Sequence, residues 1–143
     1  MENYQDAFLH RLHDTQVLHE SDRKIAAIHF GGITIECLLK SIVLTNIPPG
    51  ATPEWSTSSN DPGHTISNPG HSFVEALKRH EKLYYRAQKF KPVMKWINDV
   101  ECPSEHFIDM RYACSDPEDA IYRHWFKTYK SLLGWIQKQS SQL

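Results

Sequence analysis

The chain has 143 residues, of which 40% are hydrophobic and 11% aromatic, with 16 Lys and Arg against 17 Asp and Glu. That length suits a single domain, residues 1–143, burying about two-thirds or more of its unfolded surface, and the aromatic content argues against a disordered chain. A formal net charge of −1 gives no global pull toward phosphate backbones, so any nucleic-acid contact needs a local basic patch.

Tyr4, Phe8, Leu12, Thr15 and Leu18 recur at helical spacing, and the acidic Glu2 and Asp6 near their start complement a helix dipole. The strongest periodicity follows in Ile25, Ile28, Gly32, Ile35, Leu39 and Ile42. It predicts a long second helix, with Ser21 and Asp22 as capping residues and an end near Asn46. Gly31 and Gly32 fall inside this pattern and predict close packing of another element. Between Ile47 and Gly70 the turn makers Pro48-Pro49-Gly50, Asp61-Pro62-Gly63 and Asn68-Pro69-Gly70 break helix. A loop of that length reads as mobile or as a functional flap, with Trp55 its one large anchor.

Ser72 and Glu75 have capping-box spacing, and Phe73, Leu77, His80, Tyr84 and Ala87 continue the stripe. A third helix is expected over about Ser72 to Phe90. Pro92 restarts a short helix ending before Cys102-Pro103, and Ser104 is placed to cap a short piece through Phe107, Ile108 and Arg111. Asp116-Pro117-Glu118-Asp119 reads as an N-cap, a first-turn proline and two acidic residues that open a last, broadly apolar helix. The expected architecture is all-α: an antiparallel up-and-down bundle of four to five helices with a long loop between the second and third.

Cys37, Cys102 and Cys114 are odd in number and lack CxxC spacing, which suits reduced thiols in a cytoplasmic protein. Neither a signal core nor an apolar run of about 20 residues is present, so export and membrane insertion are disfavoured. No phosphate-cradling glycine loop, nucleophile elbow or dinucleotide fingerprint occurs, and no cofactor is expected.

Three ordered blocks resemble one family. They are Ala26-Ala27 followed by Ile35-Glu36-Cys37-Leu38-Leu39-Lys40, then His71 with Phe73, Val74 and Leu77, then Asp109-Met110-Arg111-Tyr112 before the last helix. In order and spacing, over nearly the whole chain, they resemble the HEPN (higher eukaryotes and prokaryotes nucleotide-binding) family, as a divergent bacterial-type member. The resemblance implies a four- or five-helix bundle, frequently a homodimer. The family includes nucleotide-associated modules, RNA-cleaving toxins paired with nucleotidyltransferase antitoxins, and inactive interaction versions, and fold transfers across such a set better than activity.

Active members resemble one another in an Arg followed, after four to six intervening residues, by a His. From Arg111 those positions are Asp116, Pro117 and Glu118, and the next histidine, His124, comes after twelve intervening residues. Arg23 and His29 have five residues between them, but among nine histidines about one chance match is expected, and the start of the second helix is the wrong place for the motif. That pair is read as coincidence.

Glu36, on an apolar helix, needs a partner or water. One reading gathers Glu36, Lys40, His71, Arg111 and Tyr112 as a pocket for a phosphate or nucleotide, with His29 able to join from one face of the second helix. The other makes Glu36 and Arg111 an internal salt bridge and His29 a satisfied core residue. His10 and His13 lack a third ligand at recognisable spacing and suit a solvated face, so no metal is expected. Lys78, Arg79, Lys82, Arg86, Lys89 and Lys91, interleaved with Tyr84, Tyr85 and Phe90, form either an RNA footprint or an ordinary solvated face diluted by Glu75 and Glu81. The expected function is a HEPN-like binding or assembly module for nucleotide or RNA, homodimeric or beside a nucleotidyltransferase. The alternatives are a divergent metal-independent ribonuclease, with Arg111 on the phosphate and His124 or His71 as acid or base, and a purely structural dimerisation domain.

Overall fold

The computed structural model describes residues 3–46, 55 and 66–143. They form six α-helices and no strand: α1 (Tyr4–Glu20), α2 (Lys24–Thr45), α3 (Phe73–Lys78), α4 (Glu81–Lys89), α5 (Lys91–Glu101) and α6 (Asp119–Ser140), with a 3-10 helix over Phe107–Tyr112 before α6. The all-α expectation holds. Apart from Trp55 and the stretch 66–70, the loop expected between the second and third helices lies outside the described residues.

α2 is the central element. It packs most extensively on α1 and also meets α3, α5, α6 and the 3-10 helix. Ile35 and Leu39 are fully buried, joined in the core by Phe73, Leu77, Leu83, Ile97, Phe107, Leu132 and Ile136. Each such side chain contributes about 1.5–3 kcal/mol. Among the described helices α2 alone is long and apolar enough to cross a membrane, with a mean hydropathy of 1.5 over its best window; 78% of that window is buried inside the protein. Its apolarity is therefore accounted for by packing.

The two glycines of α2 allow that packing. A Cβ on Gly31 would stand 2.7 Å from the Trp125 ring, and one on Gly32 would overlap the Phe107 ring and stand 2.7 Å from its Cβ. The 3-10 helix thus rests directly on the α2 backbone.

Several helix ends differ from the sequence expectation. α2 is not capped by Ser21 or Asp22. Asp22 takes a left-handed conformation, φ 57°, in the turn out of α1, which leaves Arg23 as N-cap with no side-chain hydrogen bond. The expected third helix is two. Arg79 is held by the Ser67 carbonyl at 2.7 Å and Ser67 Oγ at 3.0 Å, while extended His80 accepts the Leu83 N–H at 3.2 Å and starts α4. Histidine thus takes the capping role usual for Ser or Asp.

The 3-10 helix is capped by His106 rather than Ser104: Ile108 N–H donates to His106 Nδ1 at 3.3 Å. Ser104 Oγ instead contacts Met110 Sδ at 3.8 Å. α6 begins at Asp119 with Glu118 as N-cap, not Asp116. The Asp119 carboxylate accepts from Lys24 at the start of α2, so the two helix starts are tied together.

Candidate functional site

The expected five-residue cluster is divided between two places. Glu36, Lys40 and His71 meet: His71 Nδ1 donates to Glu36 Oε1 at 2.5 Å, and Lys40 Nζ stands 3.8 Å from Glu36 Oε2. Glu36 and Lys40 are 9% and 4% exposed, so this is an ion pair within the interior, and Lys40 also lies 5.5 Å from the Tyr4 ring centroid. Trp55 Nε1 donates to Tyr4 Oη at 3.0 Å, anchoring Trp55 beside the same helix pair. The His71 carbonyl accepts from His106 Nε2 at 3.1 Å. Buried charges on helical i,i+4 positions, locked from above by a histidine, hold α2 to the entrance of α3.

Arg111 is elsewhere. No ion pair joins it to Glu36, whose carboxylate meets His71 and Lys40. Instead Arg111 lines a cavity of about 410 Å³ at the start of α2, with Asp22, Arg23, Ala26, His29 and Asp116. Its guanidinium stands 4.8 Å from the centroid of the Tyr112 ring, which is 71% exposed. His124, expected as its partner, is exposed and lines a different cavity of about 640 Å³, with Ile28, Met110, Ile121 and Trp125. Ala113 and Asp116 line both. His10 and His13 are exposed on α1, and among the described residues no three His, Cys, Asp or Glu side chains gather as a metal site.

The unexpected member is Arg23. The Arg23 and His29 spacing, read as coincidence in the sequence, lies on the wall that Arg111 also lines. The signal was present, but its meaning depended on the 3-10 helix folding back onto α2. Asp22 and Asp116 were likewise missed as lining residues.

His29 is fixed. Its Nδ1–H donates to the Phe107 carbonyl at 3.0 Å, and the Phe107 ring is itself seated against Gly32. In the neutral imidazole that bond leaves Nε2 as the proton acceptor. The uncapped start of α2 adds free backbone N–H groups and the positive end of a 22-residue helix to the same cavity. Lys24 is drawn away to Asp119, whose hydrogen bond raises the ammonium pKa and whose own pKa is lowered in return.

Two arginines and a helix N-terminus offer donors to an anion, set against the carboxylates of Asp22 and Asp116, which can accept from hydroxyl groups. No family model matches the chain, and neither does any curated protein or solved structure.

Proposed function

We propose that the chain is a HEPN-like helical binding module whose cavity at the start of α2 takes the phosphate of a nucleotide. The observation that carries this reading is the convergence of Arg23, His29 and Arg111 on one cavity at a helix N-terminus without a side-chain cap. Guanidinium groups pair with phosphate oxygens in a planar fork, and backbone N–H groups at a helix start add to the same field. Asp22 and Asp116 suit ribose hydroxyls, and the exposed Tyr112 ring beside Arg111 offers a base a stacking surface. The up-and-down bundle, the homodimer and a nucleotidyltransferase partner belong to this proposal.

The test is thermal unfolding of the full chain with adenosine monophosphate, inorganic phosphate and adenosine as separate probes. A nucleotide at 100 times its Kd stabilises by about 2.7 kcal/mol, and the monophosphate should raise the midpoint more than either fragment. Arg111→Ala should keep the helical spectrum and lose the response. An unchanged midpoint with millimolar nucleotide, or an Arg111→Ala protein that responds fully, overturns the reading.

A second reading is favoured by the His29 to Phe107 hydrogen bond. A histidine held in one tautomer beside two arginines is suited to act as general base toward a ribose 2′-hydroxyl, with the arginines on the phosphate. In this metal-independent ribonuclease His29 replaces His124 as the partner of Arg111. RNA cleavage lost in His29→Ala and kept in His124→Ala supports it.

A further inference from the structure

We propose that the outward face of α4, continued by the first residue of α5, binds single-stranded nucleic acid at a site separate from the α2 cavity. On α4 and the first residue of α5, Lys82, Arg86, Lys89 and Lys91 stand against one carboxylate, Glu81, in a protein whose formal net charge is −1; Lys95, further along α5, is paired with Asp99. Leu83 and Ala87, fully buried, fix the inner side of α4. Lys82, Tyr85 and Lys89 consequently face outward and are exposed, with half-buried Arg86 at their edge and exposed Glu81 one turn before Tyr85.

The charges on this face are not neutralised. Lys82, Lys89 and Lys91 form no ion pair among the described residues. Arg86 is held at 3.0 Å by the Gln139 side-chain oxygen and at 3.5 Å by the Gln142 carbonyl. Both partners are neutral, so the guanidinium is oriented with its charge intact.

Aromatic surface is set among these cations. Tyr85 is 56% and Phe90 48% exposed, and Lys89 Nζ stands 4.8 Å from the Tyr85 ring centroid. Phe90 is braced edge-on by Trp96 at 6.0 Å, leaving its ring supported and accessible. Cations at helical spacing track a phosphate backbone, and rings between them stack on unpaired bases.

The chemistry separates this ligand from other polyanions. Against a lipid surface, Phe90 is the one exposed apolar ring here, and Lys82, Tyr85, Arg86, Gln88 and Lys89 include no aliphatic side chain that would extend it into an inserting stripe. An acidic peptide would leave both rings unused. A duplex keeps its bases stacked on one another and hides them from Tyr85 and Phe90.

The experiment measures fluorescence anisotropy of a labelled oligouridylate of about 12 nucleotides, within the usual footprint of such surfaces, against the full chain over a salt series. An abasic oligomer of equal length and phosphatidylserine vesicles serve as polyanions without bases. Replacing Lys82, Lys89 and Lys91 together by Gln should weaken binding and lower the log–log salt slope by about 2. Tyr85→Ala should weaken oligouridylate binding about ten-fold at an unchanged slope and leave abasic binding unaffected.

The triple-Gln protein should keep the wild-type thermal response to adenosine monophosphate, which is read at the α2 cavity and so separates failure here from failure there. The proposal is overturned by absence of binding at about 50 mM salt, where such contacts are strong, or by a triple-Gln protein of wild-type affinity. It is equally overturned if the abasic oligomer or the vesicles bind as tightly with Tyr85→Ala neutral, or if adenosine monophosphate displaces the oligomer.

Discussion

Two glycine-to-alanine exchanges in long helices should move stability in opposite directions, and the difference tests how closely the 3-10 helix sits on α2. In both positions alanine gains about 1 kcal/mol of helix propensity over glycine. At Gly134, in the middle of α6 and exposed, an added Cβ meets nothing within 4 Å, so the gain should appear in full. At Gly32 the same methyl overlaps the Phe107 ring, which is 0% exposed and cannot swing into solvent. Forcing a methyl into a filled core costs about 1–3 kcal/mol, and with a buried ring in its place the upper end applies, so about 2 kcal/mol is lost after the propensity gain is subtracted.

For a domain near this size each kcal/mol moves the midpoint by roughly 2–4 °C. Gly134→Ala should therefore melt higher by about that amount and Gly32→Ala lower by at least as much, by scanning calorimetry at one scan rate. A Gly32→Ala protein that gains stability in step with Gly134→Ala refutes the packing described for Phe107.

His80 gives a pH dependence of known sign. Burial lowers its pKa from 6.5, and its Nδ1 must stay unprotonated to accept from Leu83. Stability is therefore full above pH 6.5 and is lost as the pH falls through that value, because the unfolded chain takes the proton first. His80→Asn, which keeps an N-cap but cannot titrate, should flatten that part of a denaturation series measured between pH 5 and 8. Glu36→Ala should cost about 3–5 kcal/mol in chemical denaturation, since it strands the Lys40 ammonium in the interior. A loss below 1 kcal/mol would place Lys40 in water and contradict its 4% exposure.

The helices were legible wherever apolar spacing was long. α1, α2 and α6 follow from repeats of three and four, and the apolarity of α2 matches its position under α1, α3, α5 and α6. The division at His80 was not legible, because no proline or glycine marks it and its contacts include the bonds of Arg79 to Ser67, twelve positions away. Of the partners expected for Glu36, Lys40 and His71 meet it and Arg111 does not. A carboxylate on an apolar helix announces that it needs a partner, but the identity of that partner depends on which loop rests above it, and here that loop carries His71. Arg23 was set aside because its spacing to His29 recurs by chance in a histidine-rich chain, and only tertiary contact brings Arg111 beside both.

Phe107 joins two tasks in one residue, since its ring wedges against the Gly32 backbone while its carbonyl steers His29. Substitutions that shift this wedge therefore shift the carbonyl that orients the imidazole. Resistance to heat and fidelity of the cavity cannot drift independently in descendants of this chain. Variants selected for one will carry the other along.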